Sequence, residues 1–219
     1  LDGRRIAEML SSITQPQLER YYKLRYDRAC KHSDSAVTLS FDSTSISTYS
    51  NTINAAAWGH AKQNPELRQV NYMTVCDHAT GDVVFACSYD GSINDQTILP
   101  EIYLRMKFAG LDLTNNILVT DRGFQSIYNT QTAINLNLKY IQFLSLKEGA
   151  VKAHLQRHKQ ALCDSIAHKD PVLGISAIAV PEEWKENTDA GPIPVKAYLH
   201  LYRDPVMAEL QTNEPYRDV

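Results

Sequence analysis

The chain has 219 residues, 43% of them hydrophobic and 21% charged, a composition that suits a soluble globular protein with one sizeable core. Its net charge of -3 excludes a surface that attracts nucleic acid everywhere, while leaving room for a local basic groove. No apolar run approaches the roughly 18 residues of a bilayer span, and Cys30, Cys76, Cys87 and Cys163 have neither CxxC spacing nor the density of a disulfide framework. A reduced, cytoplasmic protein with no membrane partner is the expectation.

Residues 4–29 carry Ile6, Met9 and Leu10, then Leu18, Tyr21, Tyr22 and Leu24 at helical spacing, which predicts two short helices broken near Pro16. The period then changes. Residues 36–42 (AVTLSFD) alternate Val37, Leu39 and Phe41 with polar neighbours, the pattern of a half-buried strand ending at Asp42. A polar loop with Trp58 follows, the tryptophan expected to pack beneath it. Residues 68–78 and 81–89 read as two strands around a His-Ala-Thr-Gly-Asp turn, hence an antiparallel hairpin. Within 94–111, Asn94 or Asp95 can cap a helix with Ile98, Ile102 and Met106 on its apolar stripe, ended by Gly110.

Residues 115–120 form a short apolar run suited to a strand buried on both faces, 125–137 a helix, and 139–146 another strand. Strands that alternate with helices should be parallel, so the sheet is expected to be mixed. Farther on, 150–165 reads as a helix, 174–180 and 193–204 as strands, and 181–192 (PEEWKENTDAGP) as a polar loop between them. The chain begins without Met and stops at NEPYRDV, and it reads as a piece of a longer protein.

Asp42 and Asp121 each stand at the carboxyl end of an expected central strand, where the loops of open sheets converge on ligands. If the two strands are neighbours, the carboxylates face one another. Such a pair repels unless a cation bridges it, and hard oxygen donors suit Mg2+ or Mn2+, with water and substrate phosphate completing the shell. An Asp at a strand end is equally a turn former or helix cap, and periodicity does not decide between the two.

Four blocks in order, FDSTSIST, GSINDQTILPEI, ILVTDRGF and YIQFLSLK, resemble the catalytic core of DDE transposases of bacterial insertion sequences, in the group with the Tyr-Arg-Glu-Lys signature. The resemblance covers roughly residues 35–146. It implies an α/β, ribonuclease H-like fold, a mixed five-stranded sheet with flanking helices, followed by part of a strand-rich insertion. It implies three regions: 1–33 as the end of a preceding domain, 34–149 as the first part of the catalytic core, and 150–219 as the insertion. It also implies Asp42 and Asp121 as catalytic metal ligands for Mg2+ or Mn2+, double-stranded DNA of transposon ends and target as partner, and a homodimer that pairs two ends.

The third acid of such enzymes is a Glu on a later helix, and nothing after residue 146 reproduces its block. YRDPVMAEL reads as strand ended by Pro205, so neither Asp204 nor Glu209 is assigned that role, and the chain should be an incomplete catalyst. Asp95, Arg122, Ser43 and Thr44 are weaker DNA-contact candidates. Asp95 is more simply a helix cap, Arg122 a phosphate clamp or a surface ion-pair partner, and the hydroxyls part of a turn. His154 and His158, with Lys152, Arg157 and Lys159, form either a basic face near DNA or a solvated one. A catalytically dead DNA-binding remnant and a nuclease acting on RNA or structured DNA are the rival readings.

Overall fold

The computed structural model describes residues 2–32, 36–59, 64–145, 149–188 and 191–213. Two units are compact in themselves, Leu1–Leu144 and Ser145–Val219.

In the first unit, α1 (Gly3–Ser11) buries none of its residues, and the Asp2 side chain caps it by accepting the Arg4 N–H. The second helix, α2 (Gln15–His32), is long rather than short. Pro16 lies in its first turn, where a missing N–H costs nothing, so the break falls just before it. Tyr22, Tyr26 and Ala29 of α2 are buried, the Tyr22 ring 4.9 Å from Phe85 of the hairpin strand β3 (Val83–Asp90) and the Tyr26 hydroxyl donating to the Asp112 carbonyl. Arg25 Nε donates to the Val83 carbonyl at 3.0 Å and pairs with Asp82 at 3.1 Å, so the helix covers part of an edge strand.

The sheet has five strands in the order β3-β2-β1-β4-β5. Strand β1 (Thr38–Thr48) pairs antiparallel with β2 (Arg68–Asp77), which pairs antiparallel with β3 across an irregularity at Val75/Cys76. On its other side β1 pairs parallel with β4 (Ile117–Thr120), and β4 pairs parallel with β5 (Lys139–Gln142). The mixed sheet expected from the sequence is therefore the one observed.

Helix α3 (Asp95–Phe108) links β3 to β4 and buries Ile98, Leu99, Ile102 and Met106 with Leu39, Phe41, Met73, Val75 and Leu118 of the sheet. Each such side chain removed from water stabilises by about 1.5–3 kcal/mol. Gly110, at φ 81°, ends the helix, and the Leu111 N–H returns to the Met106 carbonyl at 3.0 Å. Helix α4 (Ile127–Asn135) links β4 to β5, capped by the Ser126 hydroxyl, which accepts the Asn129 N–H at 3.0 Å.

Two expectations need correction here. Strand β1 runs six residues past Asp42, because Ser43 and Ser45 are buried opposite Met73 and Asn71 of β2 and continue the ladder instead of turning. Strand β5 ends at Gln142, and Leu146 lies outside the described residues.

The second unit packs α5 (Gly149–Asp164) with a hairpin of β6 (Ser176–Thr188) and β7 (Gly191–Arg203). Among its described residues Val151, Leu162 and Leu201 are the buried apolar ones, and His154 Nε2 lies 2.8 Å from Glu182 Oε1. The expected polar loop 181–192 is mostly strand, in unbroken register from Ser176↔Arg203 to Thr188↔Gly191. A two-stranded ribbon has no interior position, so Pro181 and a polar run fit it as they would fit any edge. Nor does Pro205 merely end a strand. It opens α6 (Pro205–Asn213), whose N–H groups at Val206 and Met207 bond the Asp204 carboxylate at 2.9 and 3.2 Å.

Candidate active site

The parallel ladder between β1 and β4 ends at the pair Phe41↔Thr120, and the next residue on each strand is an aspartate. Neighbouring strands lie about 4.8 Å apart, and residues in register project to the same face. Leu39 and Phe41 of β1, with Leu118 and Thr120 of β4, are buried on the α3 side. Asp42 and Asp121 come one step later, and both are exposed.

The two strands then separate. Asp42 continues opposite Thr74 of β2, whose hydroxyl donates to the Asp42 carbonyl at 3.4 Å. It therefore sits inside β1, not at its end as the sequence suggested, although it does mark the end of pairing with β4. Asp121 leaves the sheet and caps a short 3-10 turn, Arg122–Phe124, its Oδ1 accepting the Gly123 N–H at 2.8 Å. Phe124, 1% exposed, plugs into the core and fixes that turn. The capping role weighed for Asp121 is thus real, and it occupies one carboxylate oxygen.

Chemically, the arrangement offers two exposed carboxylates, one on β1 and one just past the end of its neighbour β4, a hard-oxygen pair of the kind that suits a divalent cation with most of its shell left to other ligands. Among the described residues, no three His, Cys, Asp or Glu side chains gather in a group that could hold a metal ion. Cys76, two register pairs away on β2, is affected by the same charge. Burial and then the Asp42 carboxylate push its thiol up. Ser40, two residues before Asp42, bonds His78 Nδ1 at 3.1 Å, a contact the sequence did not announce.

The weaker candidates separate. Thr44 is exposed, two residues along β1 from Asp42, and Arg122 is exposed beside Asp121 with no ion pair among the described residues. Ser43 does not share that surface. It is 7% exposed, and its hydroxyl donates to Asp95 Oδ2 at 2.6 Å, because the strand continues and turns this residue inward. Asp95 is not the helix cap. Asn94 is, accepting the Gln96 N–H at 3.1 Å, and Asp95 instead accepts from Ser43 and, at 2.5 Å, from the Tyr89 hydroxyl. Trp58 is 61% exposed rather than packed beneath its loop. His154, His158 and the basic residues of α5, like Glu209 on α6, belong to the second unit.

A central strand flanked by an antiparallel hairpin on one side and two parallel crossover strands on the other is a ribonuclease H-like fold. Neither a family model nor a curated protein sequence matches the chain. Solved structures do resemble it. A piggyBac transposase synaptic complex with hairpin DNA aligns at 11% identity and a TM-score of 0.38, over 91% of this chain and 40% of that one. A Mos1 transposase paired-end complex with left transposon end aligns at 13% identity and a TM-score of 0.35, over 73% and 57% of the two chains. An endonuclease V from Ciona intestinalis in complex with DNA gives 13% identity and a TM-score of 0.29, over 68% and 69%. The chain thus spans about half the length of the transposases it resembles. At these identities and scores the likeness concerns the fold and carries no weight for function.

Proposed function

We propose that the chain is the first part of the catalytic domain of a DDE transposase of the bacterial insertion-sequence kind, with Asp42 and Asp121 as two of its metal-binding acids. The observation that carries this reading is that Asp42 and Asp121 each come one residue beyond the last β1–β4 pair, at the carboxyl end of the central ladder. Bound Mg2+ or Mn2+ would supply an activated water for phosphodiester hydrolysis and charge neutralisation for the departing 3' oxygen. The chain's own contribution is placement. Asp42 is held by β2, Asp121 by its turn, and Thr44 and Arg122 lie where a DNA backbone would pass. Double-stranded DNA is the substrate, a homodimer would hold two ends, and residues 150–219 are an insertion within the catalytic domain.

The test is a Mn2+ soak of crystals of the chain, with an Asp121→Asn crystal as control. An anomalous peak between the two carboxylates, lost in the variant, supports the metal site. A well-diffracting wild-type crystal without that peak refutes it. The lack of a third carboxylate beside the pair among the described residues favours a second reading, a DNA-binding remnant without catalysis. That reading expects a duplex to bind and no Mn2+ at the pair.

A further inference from the structure

We propose that Asp95 is a positioning residue for the Asp42–Asp121 pair, acting through Ser43; this rests on reading the pair as a metal site. Three elements meet at the Asp95 carboxylate. Oδ2 accepts from Ser43 on β1 at 2.6 Å, Oδ1 accepts from Tyr89 on β3 at 2.5 Å, and the residue itself opens α3. Ser43 and Tyr89 are 7% and 3% exposed, so the half-buried Asp95 carboxylate is bonded to two buried residues. Its helix does not need it, since Asn94 already provides the cap.

What Asp95 holds is the segment of β1 that lacks β4. Up to Phe41 the strand is paired on both sides, and from Asp42 onward its ladder is with β2 alone. Ser43, the neighbour of Asp42, is fastened from the buried face by Asp95, so the carboxylate of Asp42 is set by a bond one residue away. The base of that fastening is stiff. Gln69 Nε2 donates to the Gly91 carbonyl at 2.9 Å and Asn71 Nδ2 to the Ile93 carbonyl at 3.0 Å, tying the 91–94 loop to β2. Burial, and then Asp95 itself, push the Tyr89 hydroxyl above its ordinary range, so it remains a donor at neutral pH. Metal ligands need placement to about 0.5 Å, and supporting bonds of this kind typically carry 10–100-fold in metal affinity.

The experiment titrates Mn2+ into the chain by water proton relaxation, with metal-free thermal unfolding measured alongside, for wild type, Asp42→Asn, Asp95→Asn, Ser43→Ala and the Ser43→Ala/Asp95→Asn pair. The isosteric Asp95→Asn is chosen to keep the fold. Expected are loss of binding in Asp42→Asn, about 10-fold weaker binding in Asp95→Asn, a smaller loss in Ser43→Ala, and a double variant no weaker than Asp95→Asn alone. Wild-type Mn2+ affinity in a destabilised Asp95→Asn would make Asp95 a structural residue only and overturn the proposal. Wild-type affinity in Asp42→Asn, or no binding by the wild type, would remove the metal site itself, a failure distinct from the former.

Discussion

Gly91→Ala should be among the most damaging single-methyl changes in the first unit. A Cβ at Gly91 would stand 1.9 Å from the Gln69 carbonyl oxygen, 2.7 Å from its carbon and 2.9 Å from the Ala57 carbonyl oxygen. All three are backbone atoms, and relief requires a shift of about 1.5 Å to reach ordinary contact distance. That shift would break bonds converging on the same point: Gly91 N–H to the Ala55 carbonyl at 3.0 Å, Gln69 Nε2 to the Gly91 carbonyl at 2.9 Å, and the reciprocal Ala57–Gln69 pair at 3.0 and 2.9 Å. Two buried groups left without partners at about 1–3 kcal/mol each, plus residual strain, give a loss of roughly 3–5 kcal/mol. Urea unfolding followed by far-UV circular dichroism measures it, as does tryptophan emission in a Trp184→Phe background, where Trp58, next to Ala57, is the reporter. Gly149→Ala is the control. Its Cβ meets nothing within 4 Å at the start of α5, so the substitution should be neutral or stabilise by up to about 1 kcal/mol. A Gly91→Ala protein within 1 kcal/mol of wild type would refute the close packing of the 91–94 loop on β2.

Other outcomes follow from the same geometry. Saturating Mn2+ should raise the melting temperature of wild type and leave Asp42→Asn unchanged, while metal-free Asp121→Ala should lose about 1 kcal/mol with the Gly123 cap. Leu118→Ala, at a side chain 0% exposed in the central strand, should cost about 2–5 kcal/mol by denaturant titration. Asn116→Ala should cost about 1–3 kcal/mol, since its Nδ2 donates to the Tyr26 hydroxyl at 2.5 Å and the Asp112 carbonyl at 2.9 Å. Burial raises the Tyr22 hydroxyl to about 12. The folded state keeps a proton that the unfolded chain releases near 10, so this contribution is complete below pH 10 and fades as pH climbs toward 12; Tyr22→Phe should flatten that part of the melting profile.

What could be seen in the sequence was whatever local pattern decides. The β2–β3 hairpin announced itself by alternation around a glycine turn, α3 by its stripe and Gly110, and β4 by its apolar run. The second half of β1 did not. Ser43, Thr44 and Ser45 read as a turn, and what makes them strand is β2 lying alongside and Asp95 waiting beneath Ser43. The role of Asp95 was out of reach for the same reason, because the Ser43 hydroxyl it binds lies 52 residues earlier, on another strand. The outer parts of the β6–β7 ribbon were legible as strands, and only its middle, 181–192, was hidden, since a strand pair without a covered interior needs no apolar period.

The β1–β4 ladder also has a history in the life of each molecule. β4 follows β1 in the chain only after the hairpin and α3, so the centre of the sheet closes by a long-range contact, late compared with the hairpin. Until then β1 offers its open edge to whatever strand arrives first, including that of another copy. Asp42 stands on that edge, and a charge is the usual guard against such pairing. On the proposed reading a metal-binding acid would thus also guard the nascent sheet from its neighbours, and Asp42→Asn should refold with more aggregate than wild type at equal concentration.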